Sequence, residues 1–263
     1  MCVKQQSSQY ETRPFYEYAF MPEQLWITAL LNKYFAGVAN AILGIFHLHA
    51  TYPRAPIPNY VAMQLVVFVL IILFFVVVRA RLSVDDPGKM QHLMEELDSF
   101  VAKQSHEVIG HGYERYVGYL TVLGIFILLS CLLGVIPGFE SPTATPSVPL
   151  GCALVTWFYY HFQGVRSNGF RYVKNFMGPE PLLAILLFPI EIFSHLARIL
   201  SLTIRLYANM FASDLVTLVF FSLVPLALPV VFILLHIGVS VIQTYIFVLL
   251  ATVYIGEAVA HEH

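Results

Sequence analysis

Arg205 stands in the run SLTIRLYANMF, just before a stretch, Leu215 to Gly256, that contains no Asp, Glu, Lys or Arg. An arginine at mid-span costs about 2.5 to 3.5 kcal/mol even on a lenient insertion scale, and its guanidinium cannot shed the charge. Other polar residues accompany it. Steps of seven on a helix drift by only ~20°, and Glu191, Arg198 and Arg205 are spaced by seven. Ser194, Ser201 and Asn209 fall on the same stripe, near whole turns from Arg205. Asp214, nine residues beyond, points to roughly the opposite side at ~100° per residue, so an ion pair with Arg205 is not expected. Farther on, His236, Ser240 and Gln243 share one face at spacings of four and three. Acids, imidazoles and a fixed cation within a span are the groups that carry protons or line an ion path. Each has a plainer reading. A lone intramembrane His is more often a helix contact, Ser194, Ser201 and Asn209 can simply bond across helices, and Arg198 can snorkel to an interface.

The elements that must position these residues are apolar helices. Hydrophobic residues make up 58% of the 263 and charged residues 11%, and the mean hydropathy is +0.74, so an integral membrane protein is expected. A net charge of −2, with basic residues scattered in loops, gives no nucleic-acid footprint. Three cysteines, two of them in apolar runs, suggest neither a disulfide framework nor a CxxC site. The first twenty residues lack the pattern of a signal peptide, so the chain is expected to enter the membrane through its own spans.

Spans are predicted at Tyr60 to Val78, about Tyr116 to Ile136, and Leu150 to about Phe162. Two longer segments follow, Pro181 to about Ser222 and Leu226 to about Gly256, joined by a turn at Pro225 and Pro229. A continuous helix over the first would be ~60 Å long, twice the ~30 Å hydrocarbon core, so it must either lie steeply inclined or break. With the turn placed near Ala227, Asp214 falls near the level of His236, and Arg205 near that of Gln243. Glu191 and His195 lie deeper still. Lys and Arg in residues 79–115 and 165–178 put those loops inside, 137–149 outside, the N-terminus outside and the C-terminus in the cytoplasm. The segment SVDDPGKMQHLMEELDSFVAKQ places Met90, Leu93, Met94, Leu97, Phe100 and Val101 at helical spacing, either on the inner membrane surface or against a partner. Leu25 to Leu48, interrupted by Asn32, Lys33 and Asn40, favours an interfacial helix on the outer side over a span.

The expected fold class is therefore an all-α integral membrane protein with about five transmembrane helices, the last two a long, steeply inclined hairpin, plus amphipathic surface helices. Its divisions are an outer N-terminal segment (1–59), three spans with a cytoplasmic amphipathic helix (60–178), and the hairpin (179–263). Other chemistries find little support. SHEVIGHG has one residue too many for HExxH, leaving His106 and His111 about 140° apart on a helix. The pair His47 and His49 has no third ligand nearby, and there is no Gly-rich phosphate loop or nucleophile elbow. No metal and no cofactor are expected.

PIEIFSHLARILSLTIRLYANMFASDLV followed by HIGVSVIQTYIFVLLATVYIGEA resembles the C-terminal half of subunit a of bacterial F-type ATP synthase, and SPTATPSV and FMGPEP resemble its loops. The resemblance implies a proton-translocating stator, not itself an enzyme, in a bacterial inner membrane. It would work against a rotating ring of c subunits beside b-type peripheral stalk subunits. Arg205 matches the family's essential arginine and Asn209 the asparagine of RLxxNM. Glu191 and Ser194 match residues of the cytoplasmic half-channel, where His195 also lies. His236 and Gln243 match residues of the opposite half-channel and the rotor-facing helix. Asp214 stands where many members have Glu, which leaves open whether it reaches His236 directly or through water. Ile199 replaces a proline common after LAR, which implies a less kinked helix. The rival from another class is a secondary transporter or channel with its own midplane site, which would show internal repeats; none is evident.

Overall fold

The computed structural model describes residues 24–45, 55–80, 82, 88–136, 138–169, 181–223 and 228–259. These residues form seven α-helices and one 3₁₀ turn: α1 Trp26–Ile45, α2 Asn59–Ala80, α3 Lys89–Ile109, α4 Glu114–Leu133, the turn Pro142–Ala144, α5 Ser147–Asn168, α6 Pro181–Leu223 and α7 Leu228–Val259. The expected turn at Pro225 and Ala227, the pair His47 and His49, and all of FMGPEP before Pro181 lie outside the described residues.

The chain divides into two units, Met1–Ala62 and Met63–His263. In the first, the Asn32 side chain brackets Ile57. Its Nδ2 donates to the Ile57 carbonyl and its Oδ1 accepts from the Ile57 N–H, both at 3.0 Å. One amide thereby satisfies both backbone groups of a buried residue, as a neighbouring strand would. This explains a polar residue within an otherwise apolar helix. Trp26, Leu30, Tyr34, Phe35 and Val38 of α1 remain exposed.

In the second unit, α4, α5, α6 and α7 pack together, and the 3₁₀ turn lies against α4, α5 and α6. Leu120 and Ile127 of α4, Tyr160 of α5, Leu206 and Met210 of α6, and Phe247 and Ile255 of α7 form the fully buried core. Gly124 lets α4 approach α7 closely, since a Cβ there would lie 3.1 Å from Val248 Cγ2. Five hydroxyls inside this apolar packing are satisfied locally. Thr156, Thr203, Ser240, Thr244 and Thr252 each donate to the carbonyl four residues back, which lets small polar residues pack between helices without stranding a donor.

Four helical stretches among the described residues are long and apolar enough to cross a membrane: α2, α4, Phe188–Phe220 within α6, and Val230–Val259 within α7. The expected third span extends at both ends to become α5. Its 22 residues are long enough, but His161, Gln163, Arg166 and Asn168 make it less apolar than the other four. Between the alternatives of inclination and breakage, α6 runs unbroken for 43 residues through Pro189 and Ile199, about 65 Å at 1.5 Å per residue.

The apolar stripe of the amphipathic α3 is divided between the bundle and the outside, with Met94 and Leu97 half-buried between the two. Met90, Leu93 and Phe100 are exposed, whereas Val101 and Ser105 are buried where α3 meets α4 and α7. Asp98 helps to set this rotation, accepting a 2.9 Å bond from Thr121 Oγ1 on α4.

Candidate functional site

Arg205 lies half-buried at the edge of an α6 face on which Ser201, Ile204, Ala208 and Asn209 are exposed. Its guanidinium reaches Ser201 Oγ at 3.5 Å, one turn back. Among the described residues it forms no ion pair: the three pairs present are Glu191 with His195, Arg198 with Glu257, and Asp214 with His236. The two arginines of the stripe therefore differ sharply. Arg198 Nη1 lies 2.6 Å from Glu257 Oε2, and its guanidinium sits 4.8 Å from the centre of the Tyr254 ring, so its charge is matched within the chain.

Asn209 donates from Nδ2 to Gln243 Oε1 at 2.8 Å, and Gln243 is buried. The expected level of Gln243 was that of Arg205; the contact is made one turn farther along, by Asn209. His236, Ser240 and Gln243 do share one buried face of α7.

One titratable cluster lies toward the hairpin turn. His236 Nε2 is 3.1 Å from the Cys131 carbonyl of α4. Because a carbonyl can only accept, Nε2 carries hydrogen. The other ring nitrogen, Nδ1, has two partners, Ser213 Oγ at 2.9 Å and Asp214 Oδ1 at 3.4 Å. A neutral imidazole accepts there from the serine hydroxyl. A protonated one donates there, toward the carboxylate. Asp214 and His236 therefore form a direct acid–imidazole pair, the shorter Asp side chain reaching the ring without an intervening water.

A second cluster lies toward the start of α6. His195 Nε2 is 3.3 Å from Glu191 Oε1, one turn back, and Nδ1 is 2.8 Å from the Tyr160 hydroxyl of α5. The His161 ring centre is 4.7 Å from that of His195. Both imidazoles, with Trp157, Ile192 and Leu196, line a cavity of about 390 Å³. Ser194 is half-buried beside His195.

Tyr160, Glu257, Ser213 and the Cys131 carbonyl were not singled out by sequence reasoning. Glu257 carried a usable signal, being the first charge after the uncharged run from Leu215 to Gly256. Tyr160, one aromatic in FYYHF, carried none.

The family model of the ATP synthase A chain matches residues 61–256. "ATP synthase subunit a" of Koribacter versatilis is 61% identical over 92% of this chain and all of its own length. The protein of the same name from Solibacter usitatus is 50% identical over 89% of this chain and all of its own length. That of Aquifex aeolicus is 43% identical over 67% of this chain and 86% of its own. With matches that run the length of the helical bundle, and with RLYANM set on an unbroken helix packed against its return helix, the chain belongs to the ATP synthase A chain family, the proton-translocating, non-catalytic stator subunits of the membrane sector.

Proposed function

We propose that the cluster of Asp214, His236 and Ser213 forms part of an outer half-channel, that Glu191, Ser194 and His195 form part of an inner one, and that Arg205 separates them on a surface facing a ring of c subunits. A proton enters from outside through the Asp214 and His236 pair and neutralises a ring carboxylate, which can then face lipid. After nearly a full turn, that carboxyl reaches the inner cluster and releases its proton. Asn209 lies on the rotor-facing surface beside the arginine, held by the buried Gln243 behind it. Arg205 favours the ionised ring carboxylate beside it. It also opposes a direct leak, which would dissipate ~2.3 kcal/mol per 100 mV for each charge.

The observation that carries this reading is that Arg205 has no ion pair among the described residues, while the titratable groups gather in two clusters on either side of it. His195 and Asp214 are nineteen residues apart on α6, or ~29 Å along the axis, far beyond hydrogen-bond reach, so a proton needs a moving carrier. The apolar part of α6, 33 residues, is ~50 Å long and fits a ~30 Å core when tilted by roughly 50°. Such an inclination sweeps the arginine across the path of the ring.

The distribution of Lys and Arg supports an N-terminus outside and a C-terminus in the cytoplasm of a bacterial inner membrane. Residues 1–59 are assigned to the outer side, 60–178 to the bundle that would meet b-type stalk subunits, and 179–263 to the proton path. The test is Arg205→Ala in inverted vesicles carrying the complete ATP synthase. ATP-driven acidification is expected to vanish while ATP hydrolysis persists, and Arg205→Lys is expected to fare little better because an ammonium deprotonates when desolvated and lacks the planar fork. Acidification that survives Arg205→Ala overturns the assignment.

A further inference from the structure

Tyr160 is fully buried on α5, yet it spends its hydroxyl on a residue of α6, the Nδ1 atom of His195, at 2.8 Å. The opposite ring nitrogen of His195 faces Glu191. A phenol can donate to a neutral imidazole and can accept from a protonated one. Aligned with Nδ1, it therefore keeps a partner for the ring in both charge states. While the hydroxyl donates to Nδ1, the neutral ring must carry its hydrogen on Nε2, directed at the Glu191 carboxylate.

We propose that Tyr160 is a positioning residue for inner proton transfer: its hydroxyl reverses from donor to acceptor as His195 gains a proton, and holds the imidazole aimed at Glu191 throughout. This rests on the inner half-channel reading above. The charged and titratable groups around His195 come from all three packed helices: His161 beside Tyr160 on α5, Glu191 and Arg198 on α6, and Glu257 with Tyr254 on α7. Arg198 and Glu257 occupy one another. Tyr160 and Glu191 each lie against a different ring nitrogen. A hydrogen bond donated by a charged ring is roughly twice as strong as its neutral counterpart, so the hydroxyl favours the protonated ring.

The test is ATP-driven proton uptake by inverted vesicles carrying the complete enzyme, with the pH of the surrounding medium, the inner side, varied stepwise. Tyr160→Phe is expected to move the midpoint of the inner-pH profile toward lower pH by roughly half to one unit. In a His195→Gln background, the same change is expected to add less than a twofold effect. Difluorotyrosine at position 160, a stronger donor and poorer acceptor, is expected to move the midpoint the same way while keeping the hydroxyl, and so tests the idea even if Tyr160→Phe fails to assemble. An unmoved midpoint with difluorotyrosine, or full additivity of Tyr160→Phe with His195→Gln, overturns the proposal. Glu191→Gln separates the two levels. If it alters the profile while both changes at position 160 do not, only the role of Tyr160 falls; if it leaves the profile unaltered, the inner half-channel assignment falls with it.

Discussion

Asp214→Asn removes the carboxylate while keeping the size of the side chain, and so tests the outer acid–imidazole pair directly. His236 has no spare nitrogen to compensate, because Nε2 is held by the Cys131 carbonyl and Nδ1 is already shared with Ser213. At the observed 3.4 Å separation, two unit charges attract by ~5 kcal/mol at an effective dielectric constant of ~20. About a third of the Asp214 side chain is exposed and the serine competes for the same nitrogen, so screening reduces this to ~1–3 kcal/mol. At 1.36 kcal/mol per factor of ten, that range corresponds to roughly 5- to 160-fold in the rate of outer proton loading. The measurement is ATP synthesis in vesicles energised by an imposed proton gradient, with the pH on the loading side varied and ATP hydrolysis by the soluble sector as the internal control. Synthesis should fall by that factor while hydrolysis is unchanged. Synthesis within twofold of the unmodified enzyme at every pH would refute the idea that Asp214 and His236 load protons as a unit.

Two further predictions concern stability and packing. A double-mutant cycle with Arg198→Met and Glu257→Gln should give a coupling energy of no more than ~1 kcal/mol in thermal unfolding of the purified complex, because the Glu257 side chain is more than half exposed. A coupling of several kcal/mol would show that the pair is desolvated in the assembly. Gly124→Leu should cost ~1–3 kcal/mol and lower the assembled yield, since a Cβ at that position already crowds Val248 Cγ2 at 3.1 Å and a branched side chain forces α4 from α7. Gly124→Ala should be much milder, and equal yields for the two variants would contradict the close approach.

Much of the architecture was legible in local pattern. Long uncharged runs have few stable outcomes in hydrocarbon other than helices, because every backbone amide must find a partner within its own segment. The prolines between Leu223 and Val230 separate two such runs, and their positions anticipated α6 and α7 to within a few residues. Helical periodicity placed His236, Ser240 and Gln243 on one face, and all three are buried together. The Met and Leu stripe of α3, expected on the inner membrane surface or against a partner, is divided: Met90, Leu93 and Phe100 stay exposed, while Val101 is buried with Ser105 and Asp98 bonds Thr121. Which face of an amphipathic helix meets its neighbours depends on those neighbours, and periodicity carries no record of them.

The sequence by itself determined that Arg205 lies in an apolar helix, apart from Asp214 in angle and from Glu191 in depth, because 3.6 residues per turn and 1.5 Å per residue are properties of the backbone alone. Only the tertiary structure decided which of these groups are already engaged. Arg198 is matched by Glu257, fifty-nine residues away, and His195 by Tyr160, thirty-five away. His236 is anchored by a carbonyl 105 residues distant, a partner that every residue type possesses and that leaves no mark in composition. Those pairings follow from how closely and at what rotation four helices pack, through contacts such as Gly124 against Val248. They leave Arg205 without a carboxylate partner among the described residues because that packing turns its face of α6 outward, away from the bundle.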